Sequence, residues 1–294
     1  MIVDGVFSGG GIKGFAYVGA LQVLEEQGIK FQRVAGTSAG AILASFLAAG
    51  FNVKEIETML DELDVSTLLD PPKFFFNIPF LKWINLYKRL GLYRGKSLEK
   101  WFYQKLATKG VYTFGDLPRG TLKLVASDLT NGRMIVLPDD LKKYGIDSKK
   151  FPISRALRMS CGIPFFFEPV YLKNGTGDSV IVDGGVLSNF PMWIYDNGHK
   201  ERPVLGMKLS HNSEEMPPQT IDNAIQLFEG LIATMKDAHD KRYISRKHEK
   251  NIIFIPVENY SATQFDLDEE TKQQLISIGR ERTTQFLTTW SPVW

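Results

Sequence analysis

Cysteine is nearly absent from this chain: Cys161 is the only one among 294 residues. An internal disulfide framework is thereby excluded, and the composition suits a reducing compartment. No base adjoins Cys161 in sequence, so its thiol reads as a small buried apolar group. Long apolar runs are missing as well. No stretch of about 18 uninterrupted apolar residues occurs, so no transmembrane helix is expected. Met1-Ile2-Val3-Asp4-Gly5 has neither the basic nor the apolar region of a signal peptide, and the expectation is a cytoplasmic protein whose membrane contact, if any, is peripheral. Charge of one sign is not in excess: Lys+Arg 35 against Asp+Glu 33 gives a net charge of +2. That is too little for a nucleic-acid binder working through a global field. No Cys/His cluster has metal-site spacing, so neither metal nor cofactor is expected. Linkers and repeats are also lacking, while 44% of residues are hydrophobic and 23% charged. Disorder, collagen and coiled coil are excluded as the main architecture, and one domain over 1–294 is predicted.

What the chain does contain is an alternation of β-rich runs and helical periodicity. Ile2–Phe7 reads as a strand, followed by a glycine cluster and a helix through Ala16, Leu21 and Leu24 to Gly28. Arg33-Val34-Ala35 is a second strand, and a helix from Ala39 to Ala49 follows it. Further β-rich runs are 122–126, 134–137, 180–182 and 204–209. This order, with β-runs apolar on both faces, predicts an α/β protein with a mainly parallel sheet. In the part from 211 to 294, Ile221, Ile225, Phe228, Ile232 and Met235 share one helical face, and Ile252–Ile255 reads as a last strand. Asp266-Leu267-Asp268-Glu269 has capping-box spacing, with Asp in place of Ser or Thr, and opens a final helix.

Gly9, Gly11 and Gly14, within Ser8-Gly9-Gly10-Gly11-Ile12-Lys13-Gly14, satisfy G-x-G-x-x-G between a strand and a helix. A dinucleotide site would need an acid at the end of the next strand, and Arg33-Val34-Ala35-Gly36 offers none. A P-loop fails because Gly14, rather than Ser or Thr, follows Lys13. What is left is a nest of backbone N–H groups at a helix start, suited to a phosphate or to the oxyanion of acyl transfer. A tight turn needing glycine only for packing is the plainer alternative.

Gly36-Thr37-Ser38-Ala39-Gly40 is G-x-S-x-G between strand and helix, the context of a nucleophile elbow. Adjacent parallel strands would bring this turn and the glycine loop to one carboxyl edge. Ser38 needs a base. Of His199, His211, His239 and His248, only His211 follows a β-run, which gives a Ser-His-Asp alternative. The favoured base is Asp183, which ends Val180-Ile181-Val182 and precedes Gly184-Gly185.

In these blocks the chain resembles the patatin-like phospholipases, bacterial lipid acyl hydrolases included. The glycine-rich segment with Lys13, the elbow at Ser38 and Asp183-Gly184-Gly185 occur in the family's order. Ser160–Pro169, Asn189 and Pro191 also fit, and the match covers roughly residues 5–210. Ser8 and Gly162 depart from the pattern without touching the dyad. The resemblance implies a three-layer α/β/α domain with a small helical cap. It implies a Ser–Asp dyad of Ser38 and Asp183, an oxyanion hole drawn from Gly9, Gly10, Gly11 and Ala39, and hydrolysis of lipid carboxylic esters through an acyl-enzyme. Ile12, Lys13, Gly14, Gly36, Thr37, Gly40, Gly184 and Gly185 complete the motifs. A non-catalytic lipid-binding module on the same fold would have no need of all three blocks.

From Pro71 to Leu98 no acidic residue occurs, while Lys73, Lys82, Lys88, Arg89, Arg94 and Lys96 interleave with Phe74, Phe75, Phe76, Phe80, Trp83, Tyr87 and Tyr93. That mixture suits a lipid–water interface. A cap over about 71–105, with its aromatics buried, is the other reading. The expected partner is therefore a lipid, with peripheral membrane contact through 71–98.

Overall fold

The computed structural model describes residues 1–62, 65–70, 86–174, 177–195, 202–210, 221, 230–231, 233–235, 240, 249–257, 260 and 267–292. Five parallel strands form the body of its central sheet, in the order β10 (Ile252–Phe254), β9 (Val204–Lys208), β1 (Ile2–Phe7), β2 (Lys30–Thr37) and β4 (Leu122–Asp128). Their side chains alternate between two buried layers. Val34, Leu124 and Leu205 enter one apolar cluster, and Ala35, Val125 and Val204 the other. Strands apolar on both faces need cover on both.

Three further strands are antiparallel, so the sheet is mixed rather than uniformly parallel. β5 (Arg133–Leu137) pairs with β4 from Leu124 to Asp128, along the whole carboxyl half of β4. β8 (Gly177–Asp183) pairs with Ala126–Asp128 of the same strand, and β7 (Val170–Asn174) pairs with β8. A strand has only two sides. Since β5 occupies one of them, β2 and β8 must share the other. β2 takes it up to Thr37 opposite Val125, and β8 takes it from Asp183 opposite Ala126. The carboxyl ends of β2 and β8 therefore meet head to head along one side of β4. This juxtaposition is the main service of the fold to the site.

Helices follow the first two strands of the chain, β1 and β2. A turn of 3-10 helix (Gly11–Phe15) leads into α1 (Ala16–Glu26), and α2 (Ala39–Ala48) starts immediately after Ser38. α3 (Val53–Asp61) is capped by Asn52 and Glu55 in a reciprocal box. A short helix α4 (Val65–Leu68) precedes Asp70, whose carboxylate accepts the N–H groups of Gly95, Lys96 and Ser97. It thereby caps α5 (Lys96–Ala107), whose own cap residue is a glycine. β3 (Gly91–Tyr93) pairs with β6 (Phe165–Phe167) in a separate two-stranded sheet, and α6 (Ile153–Ser160) lies between α5 and β4.

The last helix, α7 (Glu269–Thr289), packs along α1. Asp268 is its cap and accepts from the Thr271 N–H, two residues later than the expected cap at Asp266, which lies outside the described residues. Gly19 of α1 and Gly279 of α7 face the partner backbone, where a Cβ would strike the Ile276 and Ala16 carbonyls respectively. The two helices touch main chain to main chain. The apolar face expected over 221–235 lies mostly outside the described residues.

Candidate active site

Ser38 sits at φ 53° and ψ −121°, a conformation that non-glycine residues avoid. Such strain is of order 1–3 kcal/mol and persists only where surroundings over-determine it. Here they do. The Ser38 N–H donates to Ser160 Oγ at 3.1 Å, and Ser160 Oγ donates to the Val125 carbonyl at 2.6 Å. The Cys161 thiol, pushed well up by burial and by Asp183 nearby, donates to the Ser38 carbonyl at 3.4 Å. The flanking glycines let α2 lie against the sheet: a Cβ on Gly36 would meet the Gly40 carbonyl, and one on Gly40 the Phe7 carbonyl.

The glycine loop closes against this turn. A side chain on Gly9 would begin 3.1 Å from Ser38 Cβ, and one on Gly14 would lie 3.3 Å from Ala39 Cβ. Gly11 takes a positive φ of 58° as the chain enters the 3-10 turn. The Gly9 N–H donates to the Asn189 carbonyl at 2.9 Å. That amide is taken, which removes Gly9 from the expected oxyanion donors. Its carbonyl accepts from Ser8 Oγ at 3.2 Å and from Asn189 Nδ2 at 3.5 Å. Because a trans peptide points its C=O and N–H in opposite directions, the Gly10 N–H faces away from both. Tyr17 braces the loop by donating to the Ser8 carbonyl at 2.7 Å, and burial holds its phenol protonated by pushing its pKa up.

Asp183 lies buried at the end of β8. Its N–H donates to the Gly162 carbonyl at 2.8 Å, and its Oδ1 accepts the Gly185 N–H at 2.7 Å. Gly184 packs where a Cβ would strike the Val125 carbonyl and lie 2.9 Å from Thr37 Cγ2. Ser38, Ala39, the glycine loop and the Asp183-Gly184-Gly185 turn thus converge from three separate stretches of chain. All four histidines, His211 included, lie outside the described residues.

Beside Ser38 opens a cavity of about 130 Å³. Apart from Ser38, Tyr17, Cys161 and backbone groups its wall is apolar, with Ile42, Phe46, Leu60, Leu98 and Phe167 among the lining residues. No group of three or more His, Cys, Asp or Glu able to hold a metal occurs among the described residues.

The sequence reading assigned no role to Arg158. Its buried guanidinium donates to the carbonyls of Gly95, Arg94 and Glu168 at 3.1, 3.1 and 2.5 Å, and lies 4.9 Å from the centre of the Phe167 ring. Burial pulls its pKa down to about 10. Arg158 ties the two-stranded sheet and the start of α5 to the wall of the cavity. An arginine in a helix normally reads as solvent-facing, so no sequence signal pointed to it.

The family model described as Patatin-like phospholipase matches residues 5–196. The Bacillus subtilis (strain 168) protein YqhO, itself uncharacterised, is 53% identical over 291 residues, which is 99% of this chain and 100% of that one. An Escherichia coli cUMP-AMP-activated phospholipase is 28% identical over 197 residues, 62% of this chain and 54% of the relative. Among solved structures, VipD from Legionella pneumophila superposes with a TM-score of 0.59 at 21% identity, covering 98% of this chain and 67% of its own, a likeness of fold. With the family match extending over the glycine loop, the elbow and the Asp183 turn alike, the chain belongs to the patatin-like phospholipase family.

Proposed function

We propose that this protein is a lipid acyl hydrolase in which Ser38 is the nucleophile and Asp183 its base. The observation that carries the reading is the head-to-head meeting of β2 and β8 along β4, with Thr37 and Asp183 opposite consecutive residues of one strand. Ser38 Oγ attacks the ester carbonyl while its proton passes to the Asp183 carboxylate, and the alcohol leaves with a proton returned from the same carboxyl. Water, deprotonated by Asp183, then cleaves the acyl-enzyme. The N–H groups of Gly10, Gly11 and Ala39 are the donors to the oxyanion. Losing one such donor usually costs about 3 kcal/mol of transition-state stabilisation. The cavity offers an acyl chain an apolar wall and no charge to desolvate. Family membership supports lipid hydrolysis as the activity.

A fluorophosphonate probe tests the assignment. The expected result is a single adduct on Ser38, with enzyme activity lost in proportion to labelling. Activity that survives full labelling, or an adduct elsewhere, would overturn it.

Membrane contact is proposed for the basic aromatic segment, most of which lies outside the described residues. Its described flank presents Tyr87 at 86% and Leu90 at 43% exposure, close to Phe165 at 49% on the paired strand β6. Leu98 instead lines the cavity, so one segment serves both surfaces. Arg89 pairs with Glu168 at 3.2 Å, so the test is placed on Lys82 and Lys88. At about 1 kcal/mol per cation, Lys82→Ser with Lys88→Ser should weaken binding to anionic vesicles by about 2 kcal/mol, an effect that added salt reproduces. Trp83→Ala with Tyr87→Ala should lower hydrolysis of vesicles while sparing a soluble short-chain ester. Equal loss on both substrates with a depressed melting temperature would identify the segment as a packed cap.

A further inference from the structure

Behind the glycine loop lies a charged pair that the reaction does not use. Lys208, the last residue of β9, places Nζ 3.5 Å from Asp240 Oδ2, and both side chains are buried. Asp240 stands well outside the stretch of 5–196 that matches the family. Desolvation offsets most of the attraction within such a pair, and apolar residues of similar volume often serve stability as well or better. The other carboxylate oxygen does something apolar residues could not. Asp240 Oδ1 accepts the Phe190 N–H at 3.1 Å. The carbonyl of that same peptide unit, on Asn189, accepts the Gly9 N–H at 2.9 Å.

A planar trans peptide with both ends held has one orientation. The carboxylate therefore fixes the plane that holds Gly9, through a charge-assisted bond and its neutral continuation. On the next residue back, Asn189 Nδ2 donates to the Gly9 carbonyl at 3.5 Å. The N–H in line behind that carbonyl is the one on Gly10. A continuous chain of hydrogen bonds thus runs from Asp240 through the Asn189–Phe190 peptide to the loop.

We infer that Asp240, held by Lys208, is the positioning residue of the oxyanion loop, acting through the Asn189–Phe190 peptide. This rests on the acyl-hydrolase reading, in which Gly10 is a donor. It gives the chain beyond the family match a part in catalysis without contact with substrate.

The test compares wild type with two double variants that remove the buried charge altogether, Lys208→Met/Asp240→Asn and Lys208→Met/Asp240→Leu. The first keeps an acceptor for the Phe190 N–H and the second does not. Melting temperature, kcat and KM on a soluble short-chain p-nitrophenyl ester, and the rate of phosphonylation of Ser38 are measured on each. The leucine variant should lose about a hundredfold in kcat and in phosphonylation rate, with KM unchanged. The asparagine variant should recover most of that loss at a similar melting temperature. Equal kcat in the two doubles, or activity that simply follows the melting temperature, overturns the inference. Should the leucine variant not fold, Asp240→Asn alone decides. A neutral bond about half as strong as the charge-assisted one should lower kcat several-fold at constant KM, and wild-type kcat overturns the proposal. Wild type that forms no adduct on Ser38 sinks the acyl-hydrolase reading and this one together, whereas normal labelling with indifferent variants sinks only this one.

Discussion

Ser38→Ala is expected to lower kcat on a soluble ester by at least about a thousandfold, and Asp183→Asn to do the same. Members of a catalytic unit act together, so the double variant should be little worse than either single one. Asp183→Asn is the informative half. Asparagine has the volume of aspartate and still offers Oδ1 to the Gly185 N–H, so the turn should keep its shape while the general base is lost. Circular dichroism and melting temperature should match wild type in both variants. His211→Ala should retain full activity. The opposite result, loss with His211→Ala and turnover with Asp183→Asn, would move the reaction to a Ser-His arrangement. A thousandfold loss in Ser38→Ala with only a few-fold loss in Asp183→Asn would make Asp183 a structural cap of its own turn.

The second large effect is one of stability, at the contact between α1 and α7. Gly279→Val should destabilise the protein by about 3 kcal/mol or more, since the added side chain must displace a helix backbone rather than a side chain. For a chain of this size that is a fall of about 6–12 °C in melting temperature. Ser277→Val, on the exposed side of the same helix, controls for the β-branched residue and should change stability by less than about 0.5 kcal/mol. The displaced helix is α1, which continues the 3-10 turn carrying Gly11. Part of the activity should therefore be lost even below the melting transition. An unchanged melting temperature would mean that the two helices do not meet main chain to main chain.

The local parts of this protein were legible in its sequence. Each of the first two strand–turn–helix units is written in consecutive residues: an apolar run, glycines where the backbone must turn sharply, then helical periodicity. Asp183 was found in the same way, as a strand end followed by glycines. What could not be read was pairing between distant segments. The runs at 122–126 and 180–182 looked alike as strands, yet one is parallel to β2 and the other antiparallel to β4, because direction is set by the chain's return path rather than by composition. The same reason hid Arg158, two of whose main-chain partners, the carbonyls of Arg94 and Gly95, lie more than 60 residues away in the chain. It also hid Asp240, an acid among charged residues that reads as solvent-facing. The resemblance implies Gly9 among the oxyanion donors, but a motif cannot tell a free amide from one already bonded. The taken N–H is visible only once Asn189 is brought alongside it.

The collinear approach of β2 and β8 also has a temporal side. On the dyad reading, the nucleophile and its base are 145 residues apart in the order of synthesis, an interval on the order of ten seconds at ribosomal speed. During that time the nascent chain carries a serine with no proton acceptor, since nothing already translated can occupy the far half of the β4 edge. Asp240 and the helix that braces α1 emerge later still. On that reading an enzyme assembled in this order has no base until β8 has been made and has paired with β4.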